Sequence, residues 1–213
     1  MTVSDHYTGT ERQQENRMGQ AVEFMKQKQA YVSDHKDMPS DLQKKAKTLC
    51  RNYNLTGPEE EARRAEILKE LLGDYHPMTF IEPPFHCDYG FNIHTCGLTV
   101  INYNCVILDT SPVEIGENVF IAPGTVIACS GHAIDAAQRA QGIGTSGPIT
   151  IGRDVWIGAN CTICANVTIG NGSVIGAGSV VTNDIPPGVV AAGVPCRVLR
   201  TITEADRVTL TEF

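Results

Sequence analysis

The stretch Ile151-Gly152-Arg153-Asp154-Val155-Trp156-Ile157-Gly158-Ala159-Asn160-Cys161-Thr162-Ile163 opens a run that continues through Ile169 and Ile175 to Val181. Every sixth residue of it is a β-branched aliphatic: Ile151, Ile157, Ile163, Ile169, Ile175 and Val181. Ile115, Ile121 and Ile127 keep the same period, and Ile101 and Ile107 keep it with a two-residue slip before Ile115. The residue after the aliphatic is small at Gly116, Ala122, Gly152, Gly158, Gly170 and Gly176. Four positions after it stands Val119, Thr125, Val155, Cys161, Val167, Ser173 or Ser179. A helix of 3.6 residues per turn cannot hold a spacing of six on one face. Short strands that turn a corner every six residues can, and three edges close one triangular coil of about 18 residues. The aliphatics fill the prism, small residues fit where coils crowd, and Asn160, Asn166, Asn171 and Asn183 suit corners that need left-handed backbone angles.

Outward from this run, composition changes. The 213 residues are 42% apolar and only 6% aromatic, so the core is built from small and branched groups. Length predicts roughly one domain and a fraction. All seven lysines precede residue 70, whereas Thr95 to Pro195 holds eight charged residues. That excludes a P-loop or a Schiff-base lysine in the second half. A formal charge of −7 argues against a nucleic-acid partner. No apolar run approaches the ~20 residues a bilayer requires. The polar opening Met1-Thr2-Val3-Ser4-Asp5 lacks a signal-peptide core, so a cytoplasmic protein is expected.

The first regime reads as helical. Pro39-Ser40-Asp41 starts one helix with Leu42, Ala46, Leu49 and Tyr53 on a face; Thr56-Gly57-Pro58-Glu59 starts another with Ala65, Leu68 and Leu72, stopped by Gly73. An earlier helix over about 11–30 would carry Met18, Val22 and Met25 on one side.

Eight cysteines form no disulfide framework. Only Cys161 and Cys164 make a CxxC, with no second pair to close a zinc site. They read as small packing residues; Cys129, three residues before His132, is flanked by apolar neighbours and reads as a bystander. None of His6, His35, His76, His86 and His94 pairs with His132 at a metal-binding spacing, and His94 and His132 could at most supply two of the three imidazoles a catalytic zinc would need, so no metal is predicted.

Between Ile127 and Ile149 the repeat stops and a loop is extruded, with Ser130-Gly131-His132 at its root. Extruded loops on solenoids sit on the binding face, and a histidine there is a candidate general base toward an alcohol. A histidine taken alone reads as structural; its place at the loop root favours the catalytic reading.

Together, Ile151-Gly152-Arg153-Asp154-Val155-Trp156-Ile157-Gly158, the stretch Val181-Thr182-Asn183-Asp184-Ile185-Pro186-Pro187 and Val190-Ala191-Ala192-Gly193-Val194-Pro195-Cys196-Arg197-Val198-Leu199-Arg200 closely resemble the hexapeptide-repeat sugar O-acetyltransferases of the galactoside, maltose and nodulation type. Asp34, Glu82-Pro83-Pro84, Asp88-Tyr89-Gly90 and Asn92-Ile93-His94 extend the resemblance over about residues 30–202. It implies a mainly β fold, a left-handed parallel β-helix with an N-terminal helical segment and an extruded loop. The boundaries are a partly helical extension over 1–30, a helical acceptor-side segment over 31–75, the β-helix over 76–200 with its loop over 128–150, and a tail over 201–213.

The resemblance also implies roles. His132 matches the catalytic histidine. Asn102 and Asp34 match acceptor-site residues, and Asp88 and Thr110 stand at acceptor positions where the galactoside enzymes carry Ser and Asp. Ala159 and Ala177 match positions facing the pantetheine arm. Thr182, Asn183, Arg197 and Arg200 match the segment around the coenzyme A nucleotide, with Asn183 where a lysine is usual. Arginines beside an otherwise uncharged half suit a phosphate ligand, against the alternative of solvated charges on a terminal helix or tail. Trp156 divides evenly between packing and lining the coenzyme slot.

The expected chemistry is direct acetyl transfer from acetyl-CoA to a hydroxyl of a sugar or glycoside, with a homotrimer whose active sites lie between subunits. An amine, antibiotic or secondary-metabolite acceptor is the first alternative, and a non-catalytic solenoid scaffold the second.

Overall fold

The computed structural model describes residues 17–211. Residues 17–25 are helical (α1), and Met25 is fully buried; the part of the expected first helix before residue 17 lies outside the described residues. Strand β1 (Tyr31–Asp34) follows, so the segment expected to be helical opens on a strand. Helices α2 (Ser40–Asn54) and α3 (Glu61–Leu71) come next. In α2 the buried face is Ala46, Cys50 and Tyr53, while Leu42 is exposed. Helix α3 begins later than the Thr56–Glu59 signal suggests. The Gly57 N–H donates to the Glu60 carboxylate at 2.6 Å and Thr56 Oγ1 turns back to the Tyr53 carbonyl, so this signal forms a turn, not a first helical turn.

The rest is a parallel β-solenoid with three faces. The first stacks β4 (Ile93–Thr95), β7 (Val113–Ile115), β12 (Ile149–Ile151) and β15 (Thr168–Ile169). The second stacks β2 (Thr79–Ile81), β5 (Thr99–Ile101), β8 (Val119–Ile121), β13 (Trp156–Ile157), β16 (Val174–Ile175) and β18 (Val189–Ala192). The third stacks β3 (Phe85–Cys87), β6 (Cys105–Leu108), β9 (Val126–Ala128), β14 (Thr162–Ile163) and β17 (Val180–Val181).

The sixfold period is the stacking rule. Ile151 registers with Ile115 and Ile169, Ile157 with Ile121 and Ile175, and Ile163 with Ile127 and Val181. All nine side chains are 0–2% exposed, forming three inward columns. The residues four positions on, from Val119 to Ser179, are buried beside them. The small residues that follow the aliphatics answer crowding: a Cβ on Gly158 would lie 2.6 Å from the Ala177 N, and one on Gly170 2.4 Å from the Pro187 N. Left-handed angles fall on Asn160 (φ 55) and Asn166 (φ 62), as well as Asn104, Asn118 and Asp154. Asn171 and Asn183 do not adopt them; Gly172 takes the turn instead (φ +68), and Asn171 Oδ1 accepts the Arg153 N–H from the coil below.

The phase slip has a structural meaning. Cys87 to Thr95 and Ile107 to Ile115 each span eight residues, where the regular edge spans six, and both extra pairs fall at the corner between the third and first faces. The next coil extrudes its loop at that same corner. Within that loop lie β10 (Ser130–His132), the short α4 (Ala136–Ala140) and β11 (Ile143–Ser146). Strands β1, β11 and β10 form a small antiparallel sheet in that order. At the C-terminus, β19 (Arg197–Thr201) pairs antiparallel with β18, so Arg197 and Arg200 lie on a strand and not on the terminal helix or tail of the alternative reading.

Candidate active site

Insertions at one corner of three successive coils enclose a cavity of about 680 Å³. The first coil supplies Asp88 and Tyr89, the second Thr110, and the third Ser130, His132, Arg139, Gly144 and Ser146; β1 and the start of α2 close it with Tyr31, Ser33, His35 and Gln43. Of the residues singled out in the sequence, the structure brings His132, Asp88 and Thr110 together here.

His132 ends β10 with an exposed side chain, held by pairing of its strand to β11. Asp88 is positioned from both sides. Its N–H donates to Asp109 Oδ1 at 3.1 Å, and Gln43 Nε2 donates to Asp88 Oδ1 at 3.2 Å. Burial pushes its carboxyl above the usual aspartate range, partly offset by the Gln43 bond. Asp109 is wholly buried and pushed up to about 6 by desolvation, although the Tyr89 and Asn92 N–H groups oppose the shift. Thr110 Oγ1 sits 2.6 Å from Ser146 Oγ, which also contacts Ser111 Oγ at 2.7 Å; the Thr110 carbonyl accepts the Tyr31 hydroxyl at 2.6 Å. The cavity is therefore lined by hydroxyls, one carboxylate, the two imidazoles of His35 and His132, and an arginine.

Cys129 is fully buried under this site, and desolvation pushes its thiol up to about 12. A thiol so raised stays protonated at neutral pH and is no nucleophile. Among the described residues, no group of three or more His, Cys, Asp or Glu side chains is arranged to hold a metal.

Asp34 and Asn102 do not line this cavity. Asp34 lies out of phase with Ser33 on β1, and its carboxylate accepts the Lys36 N–H at 3.0 Å and sits 3.4 Å from His35 Nδ1. Strand alternation turns it from the face that carries Ser33. Asn102 follows β5 at another corner, where its Oδ1 accepts the Tyr103 N–H.

The positions expected to face coenzyme A lie along the coils beyond. Ala159 and Ala177 stack at the corner between the second and third faces, linked by the Gly178 N–H donating to the Ala159 carbonyl. Thr182 Oγ1 donates to Asn183 Oδ1 on the exposed turn after β17. Arg197 and Arg200 lie on β19, and Arg200 makes two hydrogen bonds, at 2.6 and 2.8 Å, to Asp206. Trp156 is 55% exposed, in an outward column on the second face with Phe80, Val100, Phe120, Val174 and Val190.

Sequence reasoning missed Tyr31, Ser33, Gln43, Gly144 and Ser146. Pairing of residues 31–34 with 143–146 joins segments more than a hundred residues apart and leaves no local pattern. The eight-residue edges were the available signal: they mark the corner where coils deviate together.

Comparisons with known proteins agree with this architecture. The family described as Bacterial transferase hexapeptide (six repeats) matches residues 148–183, and the maltose acetyltransferase hexapeptide capping motif matches 36–76, the α2–α3 region. Galactoside O-acetyltransferase of Escherichia coli is 45% identical over 76% of this chain and 80% of its own. Nodulation protein L of Rhizobium meliloti is 45% identical over 70% and 81%. A galactoside acetyltransferase solved in complex with coenzyme A superposes with a TM-score of 0.78 at 43% identity, covering 81% of this chain and 86% of its own. A maltose O-acetyltransferase from Clostridium difficile superposes with a TM-score of 0.76 at 44% identity, covering 78% and 88%. With this repeat, this capping segment and these relatives, the chain belongs to the hexapeptide-repeat acetyltransferases of the maltose and galactoside type.

Proposed function

We propose that the protein transfers an acetyl group from acetyl-CoA directly to a hydroxyl of a sugar or glycoside, with His132 as general base. The observation that carries this reading is an exposed imidazole in a hydroxyl-rich cavity whose nearby thiol, Cys129, is held protonated. The imidazole takes the hydroxyl proton as the oxygen attacks the thioester carbonyl. A tetrahedral intermediate forms; the carbon–sulfur bond breaks, and the proton returns to the departing sulfur. A backbone N–H, that of Ala159, stabilises the developing oxyanion. Holding both substrates in register supplies much of the acceleration.

The donor lies along the stacked coils. Ala159 and Ala177 present backbone to the pantetheine amides, Trp156 borders the slot, and Thr182, Asn183, Arg197 and Arg200 receive the nucleotide phosphates. Three chains assemble side by side. The exposed Phe80, Phe120 and Trp156 column on the second face supports such an association. An inter-subunit site also accounts for Asn102, which lies outside the His132 cavity of its own chain: it serves a neighbour's acceptor, while Asp34 acts from the rim beside His35. Eight cysteines without a disulfide suit a reducing, cytoplasmic location. On this reading α1 is an added arm, α2 and α3 the acceptor-side cap, and the solenoid with its loop the catalytic body.

A second reading keeps the chemistry and changes the acceptor to an amine, antibiotic or secondary metabolite; Asp88, whose carboxylate lines the cavity, favours it by offering an ammonium a partner. Release of free thiol from acetyl-CoA, measured against a panel of sugars, glycosides and amines with product identification, separates the two. Turnover with a hydroxylated ring supports the first, turnover confined to amines the second. Neither turnover nor coenzyme binding would leave a solenoid scaffold. A monomer by mass in solution would overturn the shared site.

A further inference from the structure

Helix α2 meets β3 and the residue after it through three side chains on one helical face. Gln43 Nε2 donates to Asp88 Oδ1 at 3.2 Å, Cys50 Sγ stands 3.6 Å from Cys87 Sγ, and the Asn54 amide exchanges two hydrogen bonds with the Phe85 backbone, at 2.8 and 3.0 Å. Positions 43, 50 and 54 are seven and four apart, the spacing of one face. The polar contacts on either side hold the two sulfurs together. Cysteine spacing alone gave no sign of the pair, because 37 residues separate its members.

Both cysteines are buried, Cys50 at 2% and Cys87 at 6% exposure, yet both line a surface pocket of about 330 Å³ with Lys47, Arg51 and His86 among its other walls. With so little of either residue at the surface, a small neutral oxidant reaches the sulfurs and a peptide-sized one does not. The two thiols are also unequal. The Cys87 S–H donated to Cys50 Sγ holds Cys50 below the ordinary thiol range despite its burial, while the same bond and desolvation push Cys87 up. Thiolate character therefore gathers on Cys50, with a second sulfur in contact with it.

We infer that Cys50 and Cys87 form a peroxide-reactive site, Cys50 as the attacking sulfur and Cys87 as the resolving one, whose oxidation links the cap to the first coil. The Cys50 thiolate attacks one oxygen of hydrogen peroxide. The O–O bond breaks, the departing hydroxide takes a proton to become water, and Cys50 becomes a sulfenic acid. The Cys87 sulfur gives up its proton and attacks the Cys50 sulfur; the S–O bond breaks, a second water leaves and the S–S bond forms. Two thiols are oxidised by two electrons and one peroxide is reduced. The sulfurs close by about 1.5 Å to reach disulfide length. The site is independent of what the His132 cavity accepts.

The test uses the reduced full chain carrying Cys96→Ser and Cys164→Ser, which removes an exposed and a half-buried thiol. Hydrogen peroxide should remove two thiols by count after denaturation, and peptide mapping without reductant should join Cys50 to Cys87. Glutathione disulfide should act at least tenfold more slowly. Cys50→Ser should slow thiol loss to peroxide at least tenfold, and Cys87→Ser should leave a sulfenic acid at Cys50 that dimedone traps. The linked chain should melt about 5 °C higher, since the bridge closes a long loop, and dithiothreitol should reverse the shift. Mapping of the otherwise native chain reads the bond even where a serine variant folds poorly. Recovery of Cys50 and Cys87 as thiols after other cysteines have oxidised, wild-type thiol loss in Cys50→Ser, or an unchanged midpoint in the linked chain would overturn the proposal.

Discussion

The buried carboxylate of Asp109 holds the backbone of Asp88, accepting its N–H at 3.1 Å, and also binds the N–H groups of Tyr89 at 2.8 Å and Asn92 at 3.3 Å. One side chain thus folds the turn that delivers the cavity's carboxylate. Desolvation raises Asp109 from 3.8 to about 6, so the folded chain keeps a proton that the unfolded chain releases in between. Stability contributed by this group is present at low pH and declines as pH rises through that window, by on the order of 3 kcal/mol if the whole shift is realised. Asp109→Asn removes the titration. Denaturant midpoints at pH 4.5 and 7.5 should therefore place the variant relatively better at the higher pH; a difference from wild type that does not move with pH would refute the coupling.

His132→Ala should cut turnover by roughly 10²–10⁴, the usual contribution of a general base. The side chain is exposed, so melting should stay close to wild type. Thiol-release kinetics check the first statement and circular dichroism the second; near-normal turnover would remove His132 from its role.

Arg197 is exposed on β19, and its guanidinium bonds only to the Cys196 carbonyl among the described residues. Arg197→Ala should weaken coenzyme A binding about tenfold, as loss of a charge-assisted contact does, and leave the acceptor KM alone. The deficit should narrow at high ionic strength, because partly exposed charges are screened. Titration calorimetry at two salt concentrations decides it.

Ile163 is fully buried between Ile127 and Val181. Ile163→Ala should cost about 2–5 kcal/mol through lost burial and a residual cavity, whereas Thr168→Ala on the exposed side of the first face should stay within about 0.5 kcal/mol. Chemical denaturation of both variants reports the contrast.

The solenoid was legible because its physics is local and repeated: Ile157 needs only Ile151 and Ile163 at the right spacing to announce a coil. His132 was legible because it stands where that rhythm breaks. Asp88 and Thr110 were reached through resemblance, and the two-residue slip that explains their meeting was visible as arithmetic without its geometry. The small sheet of β1, β10 and β11 was not legible, since Ser33 finds Gly144 only after the coils have stacked. The fork of Arg200 on Asp206 likewise depends on a turn whose capping residues, Thr203 and Asp206, say nothing of a partner strand.

A column of identical rungs has no built-in end. At the top of the second face, β18 would offer a row of unpaired amides to any passing chain, an invitation to fibre growth. By doubling back as β19 and clasping Arg200 to Asp206, the chain spends residues 197–206 as a lid against its own polymerisation. Trimming them would release a molecule able to add to others end over end.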